Sequence, residues 1–222
     1  MERLLVAFTG MSNGGKSHWS RELQGEGFNY WVRRLQRVGF ERYCCDDLIE
    51  KKLGPELKAR GFSGLRDIAE WMGQPFDPQY AETSKKYLDF EGEVVNEVLD
   101  RVENSKARRV VIDTTGSVIY LAEDILQKLS ARTRVVYLET PESVKDEMYK
   151  SYLENPKPVI WGDSFVKAPG ETDMQALGNC YPKLLAHRAE RYAKLAHVTL
   201  DYQMLRNPGF KVADLMTVLK AA

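Results

Sequence analysis

The chain has 222 residues, 43% of them hydrophobic, and balances 32 Lys and Arg against 32 Asp and Glu. That length suits one α/β domain with a lid or insertion and leaves little for two independent domains. The charge balance excludes a global basic footprint for nucleic acid or membrane surfaces, and three cysteines (Cys44, Cys45, Cys180) make neither a disulfide framework nor a zinc spacing. No apolar run approaches a membrane span, the first residues show no signal-peptide layout, and the expected setting is a reducing cytoplasm.

An apolar run at 4–8 predicts a core strand that leads into Gly10-Met11-Ser12-Asn13-Gly14-Gly15-Lys16-Ser17, which fits the phosphate-loop pattern G-x-x-x-x-G-K-[ST] at every fixed position. Glycines let successive backbone N–H groups turn toward one point, the lysine reaches outer phosphates and the serine hydroxyl binds Mg²⁺. Residues through Leu23 read as a helix, whose positive dipole end faces the same anion. The loop through His18 is therefore the candidate nucleotide contact, against the plainer reading of a glycine-rich turn with an exposed Lys16.

An insertion at about 24–39 mixes Tyr30, Trp31 and Leu35 with Arg33, Arg34 and Arg37, the pattern of an amphipathic helix with a solvated basic face. A nucleic-acid surface is the competing reading, and a salt-dependent affinity lost on removing Arg33 and Arg34 would favour it. Residues 40–45 predict a second strand that delivers Asp46 and Asp47 to its C-terminal end, where open α/β sheets place ligands. From 55 to 104 the pattern is helical, broken at 73–78 by two prolines, with Tyr87, Phe90, Val94, Val95, Val98, Leu99 and Val102 forming a core-facing wall.

A third strand at 108–113 closes on Asp113, either a second carboxylate near Mg²⁺ or a cap on the Thr-Thr-Gly-Ser turn behind it. A helix at 119–130, a fourth strand at 134–138 and a helix at 141–154 follow. The stretch 155–178, its periodicity broken by Pro156, Pro158, Gly162, Pro169 and Gly170, is too long for an ordinary connection and reads as a functional segment. A helix at 181–195, a fifth strand at 197–201, a turn at 207–209 and a helix at 212–219 complete the chain. Strands alternating with helices imply a three-layer α/β fold with a parallel sheet of about five strands, covered on both faces.

The order of phosphate loop, DDLIEKKLG, VVIDTTGSV, VVYLETPESV, Asn155-Pro-Lys-Pro158 and YPKLLAHRAERYAKLAHVTLD resembles the shikimate kinase family across nearly the whole chain. The resemblance implies a small-molecule kinase fold with a substrate-binding helical region at about 47–104 and a lid at about 155–178. It implies ATP and Mg²⁺ as the donor and transfer to a hydroxyl of a small acceptor; charge and hydropathy make nucleic acid an unfavoured partner and a membrane none, and a monomer is expected. Carried over by position, Lys16 and Ser17 match the phosphate lysine and metal hydroxyl, and Asp46 the acceptor-contacting aspartate and candidate base. Arg188 matches the arginine that grips the acceptor carboxylate, and Lys157 the lid arginine that closes on phosphates. The turn from Arg206 to Pro208 matches the wall against adenine.

Three departures bear on the acceptor. Cys44 stands where the family places a carboxylate on the Mg²⁺ side, and Asp113 reads as its replacement on the neighbouring strand. Thr114-Thr115-Gly116 replaces a glycine triplet along the acceptor, and Leu88 occupies the place of a second carboxylate-binding arginine. These changes open the reading to other acceptors, such as a nucleoside, a sugar acid or a nucleotide-sugar. Cys180, His187 and His197 lack ligand spacing and read as structural.

Overall fold

In the computed structural model, which describes residues 3–25, 39–62 and 65–221, five strands form one sheet. They are β1 (Leu4–Thr9), β2 (Glu41–Cys44), β3 (Arg109–Asp113), β4 (Arg134–Leu138) and β5 (Val198–Leu200), in the spatial order β2-β3-β1-β4-β5. Every pairing is parallel. The alternation of a strand splits its apolar residues between two cores. Ala7, Val110, Ile112, Val135 and Tyr137 enter one. Val6, Phe8, Val111, Val136, Leu138 and Leu200 enter the other.

Helices cover both faces, as expected. The second core is closed by α1 (Lys16–Gln24), α8 (Tyr202–Arg206) and α9 (Val212–Ala221), through Trp19, Leu23, Leu205, Leu215 and Leu219. The first is closed by α2 (Cys45–Ala59), α3 (Leu65–Met72), α4 (Tyr80–Asn104), α5 (Glu123–Arg132), α6 (Lys145–Glu154) and α7 (Asp173–Leu195). Register brings the strand tips together: Phe8 of β1 and Cys44 of β2 both pair with Asp113 of β3. The phosphate-loop sequence, Asp46 and the turn at 114–117 therefore leave the sheet at one edge.

Several boundaries differ from the sequence reading. Helix α2 begins at Cys45 and runs through Pro55, because Cys45, Ile49, Leu53 and Leu57 carry one buried stripe across the proline. Asp46 thus sits in the first turn of a helix, with Cys44 at the N-cap position, and not on a strand tip. Helix α7 starts at Asp173, eight residues before the expected start. Thr172 and Gln175 form a reciprocal capping box there, and Ala176, Leu177, Cys180, Tyr181, Leu184 and Leu185 bury a stripe that passes through Pro182. The irregular segment therefore ends near 172, and residues 173–178 of the expected lid are helical. The expected helix at 119 begins instead as a 3₁₀ turn, Val118–Tyr120, ahead of α5. A second 3₁₀ turn, Glu142–Val144, precedes α6. The basic aromatic stretch at 30–37 lies outside the described residues. Among the described residues, no helix is long and apolar enough to cross a membrane.

Candidate active site

The loop after β1 is shaped by backbone that only certain residues adopt. Gly10 has φ 142°, and a Cβ there would lie 2.7 Å from the Leu138 carbonyl oxygen, so the loop presses against β4 where only glycine fits. Gly15, at φ 100°, sits at the N-cap of α1. The Gly14 amide donates to the Met11 carbonyl at 3.1 Å, which closes the turn. The N-terminus of α1 opens onto this loop, with its unpaired N–H groups and positive dipole end facing outward.

Lys16 is only 7% exposed. Its ammonium donates to the carbonyls of Gly10 at 2.9 Å and Met11 at 3.0 Å. Burial holds its pKa below the ordinary lysine value, while Asp113 and Asp46 pull it back up. Across from it, burial pushes the Asp46 carboxyl to about 6, with the Lys16 charge opposing. The Cys44 thiol is pushed up to about 12, first by burial, so at neutral pH it offers no charge to a cation.

One cavity of about 290 Å³ gathers most of the candidates. It is lined by Ser12, Asn13, Lys16 and Ser17 of the loop, by Asp46 and Tyr87, and by Thr115, Gly116 and Ser117. Asn155, Pro156, Lys157 and Pro158 close it from the irregular segment, and Arg188 lies at its inner end. The Lys157 ammonium donates to Asn13 Oδ1 at 2.6 Å.

Arg188 is 4% exposed, and its Nη2 donates to the Ile160 carbonyl at 2.7 Å while the Tyr120 ring lies 5.5 Å from the guanidinium carbon. Its Nε is buried without a partner, and no carboxylate pairs with it among the described residues. Glu190, four residues from Lys194, takes that lysine at 2.6 Å instead. A buried cation with a free donor and no carboxylate partner has the chemistry to take an anion.

Other candidates are placed elsewhere. Thr114 is fully buried, and its hydroxyl donates to the Phe8 carbonyl at 2.7 Å, so it locks β3 to β1 and does not line the cavity. Asp113 also does not line it. Its Oδ2 accepts from Arg42 Nη2 at 2.8 Å and from Ser20 Oγ at 3.0 Å, and these partners replace the cap that the following turn suggested. Its Oδ1 is buried and unpartnered. An orphaned carboxylate oxygen at the strand tip, together with the Ser17 hydroxyl, fits a hydrated divalent cation. Among the described residues, no group of three or more His, Cys, Asp or Glu side chains is placed to hold a metal alone. His18 is exposed, edge-on to Trp19 at 5.1 Å. Arg206 donates from Nη2 to the Asn13 carbonyl at 3.3 Å and covers the Tyr202 ring at 5.1 Å. Pro208 is exposed in the turn behind it. Neither borders the cavity.

Glu91 was not among the expected residues. It lies on α4, fully buried, one helical turn from Tyr87. Thr115 donates to its Oε1 and Ser117 to its Oε2, the latter at 2.5 Å. Burial pushes its carboxyl up to about 7, against the two hydroxyl hydrogen bonds that lower it. The available signal was a lone carboxylate inside the apolar stripe from Tyr87 to Val102. Arg42, the partner of Asp113, was missed as well. Leu88 packs partly buried against the core, and Arg188 is the one arginine among the described residues that line the cavity.

No protein-family model and no curated protein matches the sequence. Solved structures do. The chain is similar to shikimate kinase from Acinetobacter baumannii in complex with shikimate, with TM-score 0.59 and 18% identity over 99% of this chain and 95% of that one. It is similar to shikimate kinase from Bacteroides thetaiotaomicron at TM-score 0.56 and 13% identity, covering 98% of each chain. TT1252 from Thermus thermophilus gives TM-score 0.52 and 14% identity, over 100% and 96% of the two chains. The fold is that of the shikimate kinases.

Proposed function

We propose that this protein is an ATP-dependent phosphotransferase that moves the γ-phosphoryl group of Mg²⁺-ATP to a hydroxyl of a small anionic acceptor. The observation that carries this reading is the single cavity shared by Lys16, Ser17, Asp46, Lys157 and Arg188, the last without a carboxylate partner among the described residues. Phosphoryl transfer asks a protein chiefly for positioning and charge neutralisation, and these groups supply both.

Backbone N–H groups from Gly10 to Lys16 cradle the phosphates, Lys16 leaves its loop carbonyls for phosphate oxygens, and Lys157 adds charge from the segment 155–172, which acts as a lid. Ser17, and Asp113 Oδ1 through water, would hold Mg²⁺. When bound, the ion neutralises charge on the β- and γ-phosphates. Arg188 takes the acceptor's anionic group, which orients a hydroxyl toward Asp46. As the acceptor oxygen–phosphorus bond forms and the bond to the ADP oxygen breaks, Asp46 accepts the hydroxyl proton. A carboxyl near 6 is ionised at neutral pH and suited to that task.

With Leu88 outside the cavity, one guanidinium faces the acceptor, and Thr115 and Ser117 point their hydroxyls at Glu91. That lining favours an acceptor other than shikimate, such as a sugar acid or a nucleoside phosphate. The test is ADP release from Mg²⁺-ATP across a panel of shikimate, gluconate, nucleosides and nucleoside monophosphates. Turnover with one acceptor, abolished by Lys16→Ala, is expected. Silence across the panel together with no ATP binding would refute the reading.

A further inference from the structure

Asn13 is the one loop residue in the left-handed region that is not glycine, with φ 64°. Asparagine tolerates that region better than most residues, and here its side chain and carbonyl are bonded from three directions. Lys157 Nζ donates to its Oδ1 at 2.6 Å, its own Nδ2 donates to Ser151 Oγ of α6 at 3.5 Å, and Arg206 Nη2 donates to its carbonyl at 3.3 Å. The side chain borders both the main cavity and a smaller one of about 30 Å³ between the loop and the lid root. In that root, Trp161 and Tyr152 are buried against Tyr181, with ring centroids 6.0 and 5.4 Å from it.

We infer that Asn13 is a positioning residue that seats the lid over the phosphate loop by holding the Lys157 ammonium until the donor's phosphates take it over. The consequence for turnover rests on the phosphotransfer reading, but the contact itself does not. An amide oxygen is a neutral acceptor, so its bond to an ammonium is weaker than the charge-assisted bond an ammonium makes to phosphate. Lys157 therefore passes downhill from Asn13 to the donor. A carboxylate at the same position would hold the ammonium more tightly and repel the phosphates. Glycine would allow the backbone conformation but offer no hold.

The experiment measures amide hydrogen exchange across 155–161 without nucleotide, in the wild type, Asn13→Gly, Lys157→Met and the double variant, with Mg²⁺-ATP affinity measured alongside. Loss of one hydrogen bond predicts exchange about two- to tenfold faster in each single variant. The double variant is expected to be no faster than Lys157→Met, because both changes break the same contact. Lys157 is exposed, so Lys157→Met tests the contact even where Asn13→Gly disturbs the loop. Asn13→Asp is expected to keep the slow exchange while weakening Mg²⁺-ATP. Wild-type exchange in Asn13→Gly, full additivity in the double variant, or fast exchange in Asn13→Asp would each overturn the inference. Failure of the wild type to bind Mg²⁺-ATP would instead overturn the phosphotransfer reading, with the exchange rates still deciding the role of Asn13.

Discussion

Glu91→Gln isolates the most perturbed carboxyl beside the cavity. The glutamate is fully buried, and its carboxyl moves from 4.5 to about 7 on folding. A raised carboxyl pKa means that the folded state keeps a proton the unfolded chain releases. Its stability contribution is whole below about pH 4.5 and is lost as pH climbs to about 7. At about 1.4 kcal/mol per pH unit, that window is worth ~3 kcal/mol. Glutamine imitates the protonated form, has an oxygen and an amide for the Thr115 and Ser117 hydroxyls, and does not titrate. Asp46, raised to about 6, changes stability in the same direction over a lower range. The difference between variant and wild type cancels that shared contribution. The assay is urea denaturation of both proteins without nucleotide from pH 4.5 to 8.5. The stability of Glu91→Gln relative to wild type should rise by ~3 kcal/mol across this range, most of it above pH 5. A relative stability that stays flat with pH would show that Glu91 is ionised in the folded protein and would refute the argument.

Three further outcomes follow from the same geometry. Asp46→Asn should lower kcat/KM by about 10²- to 10⁴-fold, and the wild-type acid limb, which falls below about pH 6, should vanish from its pH–rate profile. Arg188→Met should raise the acceptor KM by about 10- to 100-fold, the worth of a charge-assisted hydrogen bond, with the KM for Mg²⁺-ATP little changed. Arg42→Met strands the fully buried Asp113 carboxylate without its cation. Thermal or urea denaturation should show a loss of about 3–5 kcal/mol, partly restored in Arg42→Met/Asp113→Leu.

The fold and the shape of the loop after β1 were legible in the chain because their signals are local. The phosphate loop is eight contiguous residues whose glycines answer to backbone geometry, and β-branched runs such as 109–113 and 134–138 announce strands buried on both faces. The strand order, by contrast, rests on crossovers that no window of sequence spans. Helices α2 and α7 extend beyond the bounds read from the chain, because continuity of a buried stripe through Pro55 and Pro182 is set by the core that each helix meets.

For the candidates beyond the loop the sequence alone determined residue types, and the tertiary structure decided which of them share a cavity. Asp46 lies more than a hundred residues from Lys157 and Arg188, and the three share a cavity because α2, the segment after α6 and α7 meet there. Thr114 and Asp113 end on the same edge but turn inward, one to the Phe8 carbonyl and the other to Arg42 and Ser20. Whether a strand-tip side chain faces ligand or core depends on pleat and register, and on which partner satisfies it when water is excluded. The raised pKa of Glu91 and the lowered pKa of Lys16 likewise arise from the tertiary structure, since burial is the largest cause of each and exists only once the helices close over the sheet.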